Sequence, residues 1–198
     1  MCGIVGYIGD REAADFLMDG LAKLEYRGYD SAGIAVYNDG AIAVRKKAGR
    51  LVNLAEEVKA HPVVGTLGIG HTRWATHGGP SDVNAHPHTD EKGNFAIVHN
   101  GIIENYMELK EELLKKGYHF KSETDTEVVA HLCADMYDGD FTSTVRKVLA
   151  RLRGSYSLVF MCKFEPDKII CSKKDNPLIV GLGQGENYIA SDIPAILS

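Results

Sequence analysis

Hydrophobic periodicity changes character twice along this chain, from mostly strand-like to helical and back to strand-like, and that order narrows the folds open to it. The first block predicts a buried strand over Gly3–Ile8 and a helix over residues 12–25 with Ala14, Leu17, Leu21 and Leu24 on one face. A hairpin follows over residues 32–37 and 41–46, turned by Asn38-Asp39-Gly40. A short helix over Leu51–Ala60 stops before Pro62, and residues 66–72 read as a strand. The middle block predicts a strand over residues 95–99 that ends at Asn100-Gly101. A helix over residues 104–116 then turns Tyr106, Leu109 and Leu113 inward, and Gly117 ends it. Thr124 to Glu127 reads as a capping box with Thr124 as cap, opening a helix through Met136, and residues 142–153 predict another helix. The last block is strands again, over residues 155–162, 168–172, 178–183 and 188–190. Two sheets with helices outside them satisfy this order, an α/β layering.

A chain of 198 residues suits one domain, or two small ones, and can bury a sizeable core without metal or disulfide staples. Its net charge of −5 and the lack of a basic patch argue against a nucleic-acid partner. The apolar runs fall far short of the ~18 residues that a membrane span needs. Asp10, Arg11 and Glu12 stand where a signal peptide would be apolar. The four cysteines, Cys2, Cys133, Cys162 and Cys171, form no C-x-x-C pair, so neither zinc nor a disulfide framework is expected and a cytoplasmic location fits. Residues 73–94 carry Gly, Pro, His and Trp with no period. They read as a long loop, and long ordered loops are usually functional.

Cys2 is the residue with the clearest chemical promise. Once Met1 is removed, its thiol stands beside a free α-amine, whose reference pKa is roughly 7.7–8.0. An N-terminal amine paired with a side-chain nucleophile is a known way to activate that nucleophile. With Met1 attached, the Cys2 nitrogen is an amide and cannot act as base. The plain alternative is a small buried strand residue.

The segments Cys2-Gly3-Ile4-Val5-Gly6, Glu25-Tyr26-Arg27-Gly28-Tyr29-Asp30-Ser31-Ala32-Gly33 and His71 to Gly78 occur in this order. Asn84-Ala85-His86-Pro87-His88, Val98-His99-Asn100-Gly101-Ile102-Ile103-Glu104-Asn105 and Ser122 to Glu127 follow them. Together they resemble the glutaminase domain of the class II glutamine amidotransferases, which are N-terminal-nucleophile hydrolases. Within that class the text is most similar to the glucosamine-6-phosphate synthases, which aminate fructose 6-phosphate. The resemblance implies a four-layer α-β-β-α sandwich of two packed sheets with helices outside. It implies hydrolysis of L-glutamine to glutamate and ammonia through a Cys2 thioester, without cofactor or metal. Asn100 and Gly101 would supply the oxyanion donors, worth about 10²–10³ in rate for one donor. Arg73 would grip the α-carboxylate in paired hydrogen bonds. Asp125 would take the α-ammonium, Thr76 and His77 would add polar contacts, and Trp74 would cover the site. Arg27 resembles a residue near the nucleophile, without an assigned step.

The resemblance further implies that residues 1–198 are one amidotransferase domain, cut short at its C-terminal end. The sugar-isomerase domains that receive the ammonia would lie beyond it, with room for a homo-oligomer through the full-length chain. Three rival readings stand beside this one. The chain could be an inactive docking module, or serve another acceptor. A histidine from His71, His77 or His99 could act as base, as in papain-like enzymes, with no need to remove Met1. The crowded histidines show no metal-ligand spacing, so no metal site is expected.

Overall fold

The computed structural model of the chain describes residues 2–197. Met1, on which the question of a free amine at Cys2 turns, lies outside the described residues. Among the described residues, ten strands form two antiparallel sheets. The first is six-stranded, in the order β3-β2-β4-β1-β10-β9, from β1 (Gly3–Ile8), β2 (Ser31–Asn38), β3 (Ala41–Ala48), β4 (Leu67–Arg73), β9 (Ile179–Leu182) and β10 (Asn187–Ala190). The second is four-stranded, in the order β5-β6-β7-β8, from β5 (His88–Thr89), β6 (Phe95–Ile103), β7 (Gly154–Cys162) and β8 (Ile170–Lys174).

The two-residue repeat of a strand sorts these side chains into layers. On β1, Val5 and Tyr7 pack under α1 (Ala13–Lys23), with Leu17 and Leu21, while Ile4 turns to the other face. On β6, Phe95, Ile97 and Ile103 pack against α3 (Tyr106–Lys115), α4 (Glu127–Met136) and α5 (Phe141–Leu149). Ala96 and Val98, between them in sequence, meet Ile4, Ile69 and Val159 in a middle layer between the sheets. Helix α2 (Leu51–Ala60) adds Leu51 and Leu54 to the layer under α1. The result is the four-layer α-β-β-α sandwich. Each large apolar side chain buried in these layers contributes about 1.5–3 kcal/mol. No helix among the described residues is long and apolar enough to cross a membrane.

Several boundaries differ from the sequence reading, each for a local reason. Helix α1 stops at Lys23, and Glu25–Arg27 tightens into a 3₁₀ turn. Thr124 does not cap a helix: α4 begins at Glu127, and Thr124 Oγ1 pairs instead with His88 Nε2 at 3.1 Å. Glu127 still reaches back, accepting from the Lys121 N–H at 2.9 Å and the Ser122 N–H at 2.6 Å. Helix α5 is shorter than expected and is capped by Asp140, whose carboxylate accepts from the Ser143 N–H at 2.9 Å. Strand β6 does not end at Asn100-Gly101 but runs to Ile103, with Gly101 at φ +116° inside it. Strand β8 begins at Ile170, two residues later than expected. The loop at residues 73–94 contains the short strand β5.

Candidate active site

Alternation on three strands brings one set of residues to the end of the middle layer. Cys2 precedes β1 on the face of Ile4, and Ile4 lies opposite His71 in β4. Asn100 follows Val98 by two on β6, so it shares the face of Val98. The two sheets therefore meet at Cys2. Asn100 Nδ2 donates to the Cys2 carbonyl at 3.0 Å, and Arg27 Nε donates to the same oxygen at 3.2 Å. Arg27 is held in turn by Asp192, 2.9 Å away.

The Cys2 thiol is bracketed by the Trp74 backbone. The Trp74 N–H donates to Sγ at 3.2 Å, and Sγ lies 3.5 Å from the Trp74 carbonyl. Burial pushes the Cys2 thiol above its ordinary pKa, against the downward pull of the Trp74 N–H. A raised thiol needs a base to become a nucleophile. Among the described residues no histidine hydrogen-bonds to Cys2 Sγ. His71 is fully buried, and its Nε2 lies 3.0 Å from both the His99 carbonyl and Asn100 Oδ1. Burial drops its pKa to about 3. A histidine base of papain-like type has no support in this arrangement.

A cavity of about 320 Å³ opens over Cys2, at the small end of the ligand range of roughly 300–1,000 Å³. Cys2, Arg73, Trp74, Thr76, His77, Asn100, Gly101 and Asp125 all line it. Arg73 is buried and spends part of its guanidinium on the loop that follows β4. Its Nη2 donates to the carbonyls of His77 and, at 2.8 Å, Gly78; Nη1 donates to that of Gly79 at 3.3 Å. Asp125 is also buried, just before α4 rather than in its first turn as expected. Its Oδ2 accepts from the Ile103 N–H at 2.7 Å, fixing the end of β6. Thr76 Oγ1 and His77 Nδ1 lie 3.3 Å apart at the exposed rim. Trp74 is half exposed and stands edge-on to Tyr29, with ring centroids 5.4 Å apart. A Cβ on Gly101 would lie 2.1 Å from the Ser155 carbonyl, so only glycine fits where β6 passes the site.

The loop at residues 73–94 owes its order to groups that the sequence reading missed. Lys46 Nζ donates to the carbonyls of Val83, Ala85 and Pro87 at 3.2, 2.9 and 3.4 Å. Asn84 bridges to Gly79 O at 3.0 Å and to the Glu123 N–H at 3.0 Å. The Asp30 carboxylate accepts from the Ala75 N–H. Asn84 and Asp30 lie inside the quoted motifs, which was the available signal; Lys46 carried none. Asn176 and Ser155 also line the cavity, and nothing in their sequence surroundings pointed there. Among the described residues there is no group of three or more His, Cys, Asp or Glu placed to hold a metal.

Two packed antiparallel sheets with helices outside them are the fold of the N-terminal-nucleophile type of glutamine amidotransferase. The glutamine amidotransferase domain model matches residues 71–198, and the chain belongs to that family. Among named relatives, it is 60% identical over 197 residues to glutamine–fructose-6-phosphate aminotransferase [isomerizing] of Caldanaerobacter subterraneus subsp. tengcongensis, covering 100% of this chain and 32% of that protein. It is 56% identical to the protein of the same name from Thermus thermophilus, again covering 100% of this chain and 32% of the relative. The chain thus spans about a third of the length of these relatives. Among solved structures, glutamine phosphoribosylpyrophosphate amidotransferase from B. subtilis superposes with a TM-score of 0.84 at 29% identity, over 98% of this chain and 42% of that one. A glutamine aminotransferase class-II domain protein from Silicibacter pomeroyi shares the fold, with a TM-score of 0.61 at 15% identity, over 96% of this chain and 88% of that one.

Proposed function

We propose that this chain is the glutaminase unit of an aminotransferase that delivers ammonia to fructose 6-phosphate. In this reading the Cys2 thiolate attacks the side-chain amide carbon of L-glutamine. The Cys2 α-amine, freed by loss of Met1, takes the thiol proton and later gives it to the departing ammonia. Water then cleaves the glutamyl thioester, giving glutamate and restoring the thiol. The tetrahedral oxyanion is met by the second N–H of Asn100 Nδ2, whose first is on the Cys2 carbonyl, and by the backbone N–H of Gly101.

Arg73 keeps its Nε–H and one Nη1–H without a protein partner among the described residues, and these serve the substrate α-carboxylate. Asp125 offers Oδ1 to the α-ammonium while Oδ2 stays on Ile103. Thr76 and His77 contact the substrate at the rim, and Trp74 closes over it. The similarity in name and sequence of the relatives supports fructose 6-phosphate as the acceptor, bound by sugar-isomerase domains outside residues 1–198. A homo-oligomer through the full-length chain and a cytoplasmic location belong to the same reading.

The observation that carries it is the Asn100 carboxamide crossing between the sheets to reach Cys2, in a cavity that also holds Arg73 and Asp125. The test is covalent labelling by a glutamine-like electrophile, read by peptide mass. Label on Cys2 that excess glutamine suppresses is the expected result. Label spread over Cys133, Cys162 and Cys171, or label at Cys2 indifferent to glutamine, would contradict it.

A further inference from the structure

A carboxamide serves an oxyanion in only one of its two orientations. Turned end for end, Asn100 would present an oxygen where a donor is required. Two neighbours decide the matter. On one side, the Cys2 carbonyl takes a hydrogen bond from Asn100 Nδ2 at 3.0 Å. On the other, His71 Nε2 sits 3.0 Å from Asn100 Oδ1 and 3.0 Å from the His99 carbonyl.

The His99 carbonyl can only accept, so His71 Nε2 must carry the proton and share it between two oxygens. Among the described residues His71 Nδ1 is buried without a partner, as a bare lone pair in a neutral ring would be. His86 stacks on the ring at 4.1 Å and 14°, and the side chain is wholly buried, so it has no freedom to turn away.

We propose that His71 is a positioning residue that holds the Asn100 carboxamide with its NH₂ toward Cys2. The proposal rests on the glutaminase reading above. His71 touches no substrate in it and moves no proton, since its one N–H is already committed. Burial keeps the ring neutral at working pH, which leaves the donor in place throughout. The sequence alone allows His71 as a base; the geometry gives it the opposite part.

The experiment compares glutamine hydrolysis by the Met1-free protein and four variants: Asn100→Ala, His71→Phe, His71→Gln and the double variant His71→Phe/Asn100→Ala. Asn100→Ala should lower kcat by about 10²–10³, the usual cost of one oxyanion donor. His71→Phe should lower kcat by at least about tenfold and leave KM within about threefold, because an interaction made only in the transition state is lost. His71→Gln should recover most of that loss, since its amide N–H reaches the place of the ring Nε2–H. The double variant should be no slower than Asn100→Ala alone, because His71 acts through Asn100.

A parent-like kcat in His71→Phe beside an impaired Asn100→Ala would overturn the proposal. So would losses that multiply in the double variant, or a glutamine variant as slow as the phenylalanine one. If Asn100→Ala itself runs at the parent rate, the oxyanion reading has failed, and this inference falls with it for a different and visible reason. One readout needs no variant to fold: ¹⁵N NMR of the parent should show His71 as the neutral Nε2–H tautomer. The Nδ1–H tautomer would refute the proposed orientation.

Discussion

At the residue scale, the two groups proposed to hold the amino acid ends of glutamine do two jobs each, and substitutions separate the jobs. Arg73 ties down three loop carbonyls as well as facing the cavity. Arg73→Lys keeps the charge but loses the planar fork, so KM for glutamine should rise by about tenfold or more, with some loss of stability. Asp125→Asn keeps an oxygen for the Ile103 N–H and loses the charge. It should raise KM to a similar degree with little change in thermal midpoint. Calorimetric titration with glutamine checks both; parent-like affinity in either variant would remove that residue from the assignment. The quoted motifs named the residues that gather here, although they come from different settings: Cys2 before β1, Arg73 at the end of β4, Asn100 and Gly101 inside β6, and Asp125 in the turn before α4. They could not announce which way the Asn100 amide faces. That depends on His71 and Cys2, 29 and 98 residues away in sequence and brought in only when the sheets pack.

At the scale of elements, the helices were readable because each buries one face, and the central strands because they are short apolar runs buried on both faces. The misreadings arose where a side chain chose a tertiary partner over a local one. Thr124 turned to His88, so the capping box dissolved, and Glu127 became the first residue of α4. Asn100-Gly101 looks like the end of a strand because glycine permits positive φ. Here that freedom lets β6 continue past the site with the Ser155 carbonyl close against it. Gly101→Ala should therefore cost most of the activity, with kcat down by about 10² or more, since strain at φ +116° displaces the backbone donor. Lys46 belongs to this scale as well. Its three bonds clasp residues 83–87, and Lys46→Met should destabilise the protein by about 2–3 kcal/mol, from lost bonds to a charged donor. A denaturant midpoint unmoved by that change would show that the clasp does not hold the loop.

At the scale of the whole molecule, four histidines, His71, His86, His88 and His99, are buried in or beside the middle layer, and burial lowers the pKa of each. Their sign is that of a depressed group: the unfolded chain binds protons below the ordinary value of 6.5 that the fold refuses. Stability is therefore full above pH 6.5 and falls as the pH drops below it. At pH 5 the neutral His71 ring alone costs about 2 kcal/mol, from 1.36 kcal/mol per pH unit, and the other three act in the same direction. Urea unfolding should show a midpoint well below that at pH 7, and equal midpoints would mean these rings take up protons in the folded state. Composition gave no hint of this sensitivity. It arises because the Asn84 to His88 segment and strands β4 and β6 bring their histidines together across one interior.

The central claim is that the amine of Cys2 itself is the base, and the presence or absence of Met1 tests it most directly. Ammonia release from glutamine at pH 7 would be measured on protein with Met1 fully removed and on protein in which its removal is blocked, each confirmed by intact mass. The processed form should turn over glutamine, and the Met1-bearing form should be slower by about 10² or more, the usual worth of a placed general base. Equal rates in the two forms would contradict the claim and leave Cys2 without the base proposed for it.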